Sequence, residues 1–259
     1  MVTHFITCGD SFGCGVGLES GTCFEKSFAG VASQYFNIPQ LVYARSGCCN
    51  FAIYLQVKKV IEHFKDHDSI KPFVLITTTF HERLTIPLDD GVKLTVPDIS
   101  CIDYSSYFPY DKEHSDKHRE ILVGQRQTRL LSETISNLEV FLSDKKQVYF
   151  KKLFKELSIE KVDAVKYYIT ELFDSGIKQQ YDNAIIVLMH FLLKKNNIPH
   201  VIMGYNLHDL DGVDEYMENN WGQLSKKYPD PYGSGHCDEV GNKIVGEALI
   251  NHIERKKII

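Results

Sequence analysis

Apolar positions near the start of the chain form short unbroken runs, and between those runs they recur every three or four residues. The run at 2–8 is of β type and stops at Gly9. Phe24, Phe28, Val31, Ala32 and Tyr35 then share one face of a helix predicted over about 23–36. Thr22 and Glu25 have capping-box spacing at its start, and Asn37-Ile38-Pro39 ends it. A second strand is predicted at 41–44, and a helix at about 51–64 with Asn50 as its cap. A buried strand follows at 72–78, where Phe73, Val74, Leu75 and Ile76 are consecutive. This β-α-β-α-β order is the pattern of a parallel sheet with crossover helices.

The middle of the chain loses that rhythm. Residues 85–110 are rich in Pro, Asp, Ser and Tyr and predict a long loop, of a length that suits a lid or binding surface. Residues 112–142 read as polar and helical, 148–157 and 159–173 as amphipathic helices, and 181–195 as a more apolar helix. His200-Val201-Ile202-Met203-Gly204 returns to a parallel strand. The last helix is predicted at about 242–255, with Ile244, Val245, Ala248, Leu249 and His252 or Ile253 on its core side. The expected fold class is α/β: a three-layer α/β/α arrangement around a parallel sheet of four or five strands. A mainly helical insertion at about 85–180 follows strand three. No Gly/Ser/Pro linker bounds that insertion, so residues 1–259 are expected to form one domain.

Composition removes several functional classes. The chain is 43% hydrophobic and 24% charged, enough to bury a core, so disorder is excluded as the main state. Its formal net charge of −5 lacks the electrostatic footprint of a nucleic-acid binder. No apolar run reaches the roughly 20 residues that span a bilayer, and the N-terminus has no signal-peptide pattern. Seven cysteines, an odd number, suit a reducing compartment, and a cytoplasmic location is expected.

Three segments carry candidate chemistry. Gly9-Asp10-Ser11 follows the first strand, where sites form in parallel α/β sheets. Ser46-Gly47-Cys48-Cys49-Asn50 follows the second strand. Gly47 there lets backbone N–H groups approach a ligand, and Asn50 offers a side-chain donor. His236 precedes the last helix and is a candidate general base. Each segment alone also reads as an ordinary turn. His81-Glu82-Arg83, at the end of strand three, is placed to contact substrate, unless Arg83 simply pairs with an acidic neighbour. Cys8, Cys14, Cys48, Cys49 and Cys237 flank these segments. Packing of small buried residues is the simplest account of them, with a thiolate metal site as the rival.

In order and spacing, the three segments resemble the SGNH, or GDSL-type, hydrolases over roughly 1–80 and 200–255. Gly9-Asp10-Ser11-Phe12-x-x-Gly15 together with Ser46-Gly47-x-x-Asn50 is also similar to SGNH-like proteins of tailed bacteriophages. The resemblance implies a flavodoxin-like fold and hydrolysis of acyl esters, with small-molecule or carbohydrate esters as substrates and no metal or organic cofactor. Ser11 would be the nucleophile and His236 its base, with the backbone N–H groups of Ser11 and Gly47 holding the oxyanion. Asp10, His81 and Arg83 would contact substrate. Two family features are missing. The third block, Gly-x-Asn-Asp, is replaced by Thr77-Thr78-Thr79-Phe80, leaving Thr79 or Asn50 to stand in for its Asn. The Asp expected three residues before the histidine is Gly233, leaving Asp230 as the candidate third member. A degenerate domain that binds carbohydrate, or serves as a structural module, is the alternative.

Overall fold

In parallel strands buried on both faces, alternate residues must be apolar on both sides, which is what the short runs supply. The computed structural model of the chain describes residues 2–18, 24–44, 48–65, 69–81, 83–87, 130–134, 164, 167–205, 210, 212–214, 216–219, 221–233 and 235–259. Strands β1 (His4–Cys8), β2 (Gln40–Val42) and β3 (Pro72–Thr77) alternate with helices α1 (Phe28–Tyr35) and α2 (Asn50–Phe64). Next come β4 (Arg83–Pro87), β5 (Leu130–Thr134), a π-helical turn (Tyr168–Leu172) and α3 (Ser175–Lys195). The chain closes with β6 (His200–Tyr205), β7 (Tyr216–Asn219), α4 (Trp221–Lys227) and α5 (Glu239–Lys256).

Five strands form one parallel sheet in the order β2-β1-β3-β6-β7. Its two faces carry separate clusters. Ile6, Cys8, Val74, Ile76 and Ile202 face α2 and α3, meeting Ile53, Val57, Ile186, Met189 and Leu193. Their strand neighbours Phe5, Phe73, Leu75, Val201 and Met203 face α1 and α5, meeting Phe28, Ala32, Val245, Leu249 and Ile253. The period-two alternation along each strand thus builds the three layers expected from the sequence.

Several local expectations change. Helix α1 is shorter than predicted, and its cap is Ser27, whose hydroxyl accepts the Gly30 N–H at 3.1 Å. A serine oxygen suits this place because it satisfies an N–H that has no intrahelical partner. Asn50 does not cap α2 either. Cys49 holds that position, and Asn50 is the first helical residue, its amide turned to other work. Residues 85–87 are not loop, and 130–134 are not helix: β4 and β5 pair as an antiparallel ribbon, Arg83 opposite Thr134 through Pro87 opposite Leu130. The insertion is therefore not purely helical. The expectations for 88–129 and 135–163 fall outside the described residues. The edge strand β7 and α4 were not anticipated at all.

Histidines shielded from water tie stability to pH. The core side of α5 carries His252, whose pKa is lowered by burial and then by Arg255 and Lys256, and burial also lowers that of His4. A folded-state value below the ordinary 6.5 means the unfolded chain binds the proton more readily. The stability held by the neutral rings is complete above that pH and declines as pH falls through it. Thermal melts from pH 8 to 5.5 are expected to show Tm falling below about 6.5, with a shallower fall in His252→Gln. An unchanged slope in that variant would refute the assignment.

Candidate functional site

All five parallel strands point their carboxyl ends to one side, and the loops leaving β1 and preceding α5 meet there. The first loop is held by Gln56 of α2. Its side-chain amide donates to the Gly9 carbonyl at 3.1 Å, and its Oε1 accepts the Gly9 N–H at 2.7 Å. These two bonds pin the backbone two residues before Ser11. The second loop is closed on itself. The Asp230 N–H donates to the His236 carbonyl at 3.1 Å and the Asp238 N–H to the Tyr228 carbonyl at 2.9 Å. Asp238 then caps α5 by accepting the Gly241 N–H at 2.8 Å. Buried Asn242 fixes this helix start to α1, accepting the Phe28 N–H at 3.2 Å and donating to the Cys237 carbonyl at 3.1 Å.

The loops touch at Gly17. Its φ is +91°, and an added Cβ would lie 3.0 Å from Asp230 Cβ and 3.1 Å from His236 Cβ. Only glycine tolerates both the backbone angle and the approach. Ser11 Oγ consequently lies 2.7 Å from His236 Nε2, across 225 residues of sequence. The Phe12 ring packs on the imidazole, centroids 4.6 Å apart, and limits its rotation.

Asp230 lies against this pair. Its Oδ2 accepts the backbone N–H of His236 at 3.1 Å, and its Oδ1 that of Tyr232 at 2.9 Å. Asp10, expected to contact substrate, instead turns inward and is 1% exposed. Its carboxylate accepts the Phe12 N–H at 3.1 Å, the Thr79 hydroxyl at 2.8 Å and Arg83 Nη1 at 3.3 Å. Burial raises its pKa, against the opposing pull of Arg83, Thr79, the Phe12 N–H and His236.

The two candidate stand-ins for the missing Asn are committed elsewhere. Asn50 is fully buried. Its Nδ2 donates to the Thr79 carbonyl at 3.0 Å and to Asp182 Oδ2 at 2.9 Å, and its Oδ1 accepts the Thr79 N–H at 2.9 Å. An amide nitrogen has two hydrogens, and both are used. The Thr79 hydroxyl has one, given to Asp10. Asp182, on α3, is clamped in turn by Lys178 at 2.6 Å. Burial raises the Asp182 pKa, and Lys178, Asn50 and the half-buried His81 lower it. Gly47 lies outside the described residues. The Ser11 N–H, by contrast, donates to no group among the described residues.

Sequence reading missed Gln56 and Asp182, because a lone polar residue inside an apolar helix carries no local signal of its partner. Cys8, Cys14, Cys48, Cys49 and Cys237 are free thiols, all buried. Burial raises the pKa of Cys237 to about 11, which keeps that thiol protonated. Among the described residues no group of three His, Cys, Asp or Glu is placed to hold a metal ion, and no helix is long and apolar enough to cross a membrane.

No family model matches the sequence, and no curated protein matches it. Among solved structures, the chain is similar to the lipase Lip_vut3 from a goat rumen metagenome. The identity is 12% and the TM-score 0.47, over 97% of each chain. A carbohydrate esterase whose active site is described as having divergent catalytic and non-catalytic binding functions aligns at 11% identity and TM-score 0.43. That match spans 98% of this chain and 65% of the other. A protein assigned to the G-D-S-L lipolytic family from Desulfitobacterium hafniense DCB-2 aligns at 13% identity and TM-score 0.39, over 96% and 99%.

Proposed function

We propose that the chain is a serine ester hydrolase of the SGNH type. The observation that carries this reading is the 2.7 Å contact of Ser11 Oγ with His236 Nε2 at the carboxyl ends of a parallel sheet. In this reading Nε2 accepts the hydroxyl proton, so the imidazole carries its own proton on Nδ1. As Oγ attacks the ester carbonyl, the proton moves to Nε2 and is then delivered to the leaving alkoxide. Water repeats the sequence on the acyl-enzyme and releases the acid. Backbone N–H groups of Ser11 and Gly47 receive the oxyanion. Asp230 orients the base by holding its backbone N–H. Small acyl esters, including acetyl groups on carbohydrate, are the proposed substrates.

A second reading has its own support. Asn50 and Thr79 are both spent inside the protein, so neither stands in for the family's amide donor. A domain that binds carbohydrate without turnover is then the alternative. One experiment separates the two. Purified protein is incubated with a fluorophosphonate probe and with a short-chain aryl acetate. Peptide mass mapping is expected to place a single adduct on Ser11, alongside measurable turnover. A folded protein that is neither labelled nor active favours the binding module.

A further inference from the structure

The reaction proposed above develops a negative charge on the former carbonyl oxygen, and the side-chain donors of Asn50 and Thr79 are consumed elsewhere. Arg83 is a cation bonded to the residue next to Ser11. It opens β4, six residues past the end of β3, and its side chain is 13% exposed. Nη1 donates to Asp10 Oδ2 at 3.3 Å and to the Cys48 carbonyl at 2.9 Å. Asp10 is the residue before Ser11, and Cys48 is the residue after Gly47. The guanidinium thus bonds both the residue before Ser11 and the residue after Gly47 in sequence.

A guanidinium has five N–H donors in a planar fork. The two bonds above use those of Nη1. Nε and Nη2, with three hydrogens between them, donate to no group among the described residues. Donors kept largely from water and left unmatched are costly unless some acceptor visits them. The ion pair with Asp10 also fixes the group in advance, so it need not reorganise during the reaction. Asp10 does not cancel its charge outright, because that carboxylate is shared with the Thr79 hydroxyl and the Phe12 N–H.

We propose that Arg83 is a catalytic residue, the side-chain donor of the oxyanion hole, in the role the family gives to the Asn missing after β3. This rests on the serine esterase reading. A charged donor bonds an oxyanion more strongly than it bonds a neutral ester carbonyl. Its contribution therefore appears in kcat and leaves KM nearly untouched.

The test uses aryl acetate kinetics and thermal melts on wild type, Arg83→Ala, Arg83→Lys and the pair Asp10→Asn/Arg83→Met. The paired change removes both charges together, so no buried carboxylate is left unmatched and the fold is kept even where Arg83→Ala destabilises it. Arg83→Ala and the paired variant are expected to lose about 10²–10³-fold in kcat with KM within about threefold. Arg83→Lys is expected to keep an intermediate rate. Guanidinium salts at millimolar concentration are expected to restore part of the Arg83→Ala rate and none of a Ser11→Ala rate. A folded paired variant with kcat within about threefold of wild type, or one changed in KM alone, overturns the assignment. A wild type without turnover or probe labelling overturns the esterase reading and this inference with it.

Discussion

Alanine at Ser11 or at His236 is expected to lower kcat for an aryl acetate by about 10⁴-fold or more, and the double variant is expected to be no worse than either single change. In the proposed mechanism the two residues act on one proton. Without the imidazole, the Ser11 hydroxyl has no acceptor at 2.7 Å to raise its nucleophilicity. Without the hydroxyl, the imidazole has nothing to activate except water. Each loss therefore removes the same step. The residual rate in all three variants comes from the oxyanion donors and from substrate positioning, which neither substitution touches. Melting temperatures are expected to stay close to wild type for Ser11→Ala, since no backbone partner of the loop is lost. Steady-state kinetics on the two single variants and the double variant decide the matter. Losses that multiply, or a Ser11→Ala protein that still turns over, would place the nucleophile elsewhere.

The frame of the fold was readable because its buried strands are apolar on both faces. Phe73-Val74-Leu75-Ile76 and Val201-Ile202-Met203 have no polar alternative to burial. Strand β7, Tyr-Met-Glu-Asn, was hidden because it is only four residues long and its apolar pair followed by a polar pair has no strand period. Its place is set by pairing with β6, from Ile202 opposite Tyr216 to Tyr205 opposite Asn219, and not by its own propensity. Strand β5 was lost for the same reason: Leu-Leu-Ser-Glu-Thr is half polar and sits in a stretch that reads as helix.

The candidate site divides in a similar way. Ser11 and His236 stand out in the sequence because turn chemistry advertises a strand end and a helix start, and the sheet topology brings both to one edge. The partners of Asn50 are 29 and 132 residues away. Helix capping was the nearest local use for its amide, and tertiary contacts overrode it. Asp10 shows the same limit. Adjacent to Ser11 in sequence, it reads as facing substrate, yet it lies in the bend that follows β1, and there its carboxylate turns to Thr79 and Arg83.

Gly9→Ala is expected to be the most disruptive single methyl that can be added near the site. A Cβ there would fall 1.7 Å from Thr77 Oγ1 and 2.9 Å from the Thr77 carbonyl oxygen. Thr77 is fully buried at the end of β3, so it has nowhere to retreat. The β1 end cannot move away either without breaking the two Gln56 bonds to Gly9. Overpacking of this kind costs about 1–3 kcal/mol, and stranding the buried amide and carbonyl adds about 1–3 kcal/mol. For a chain of this size the sum corresponds to a Tm drop on the order of 10 °C. Activity is expected to fall further than stability alone accounts for, because Ser11 rides on the displaced turn and a shift of about 1 Å can cost roughly 10²-fold. Thr77→Ala in the same chain removes the hydroxyl at 1.7 Å but leaves Thr77 Cβ at 3.0 Å. It is therefore expected to recover part of the Tm and less of the rate. Thermal melts with parallel kinetics on the single and double variants test this. A Gly9→Ala protein with wild-type Tm and turnover would show that the turn before Ser11 has slack, and the tight approach of β1 to β3 would no longer explain how Ser11 is held.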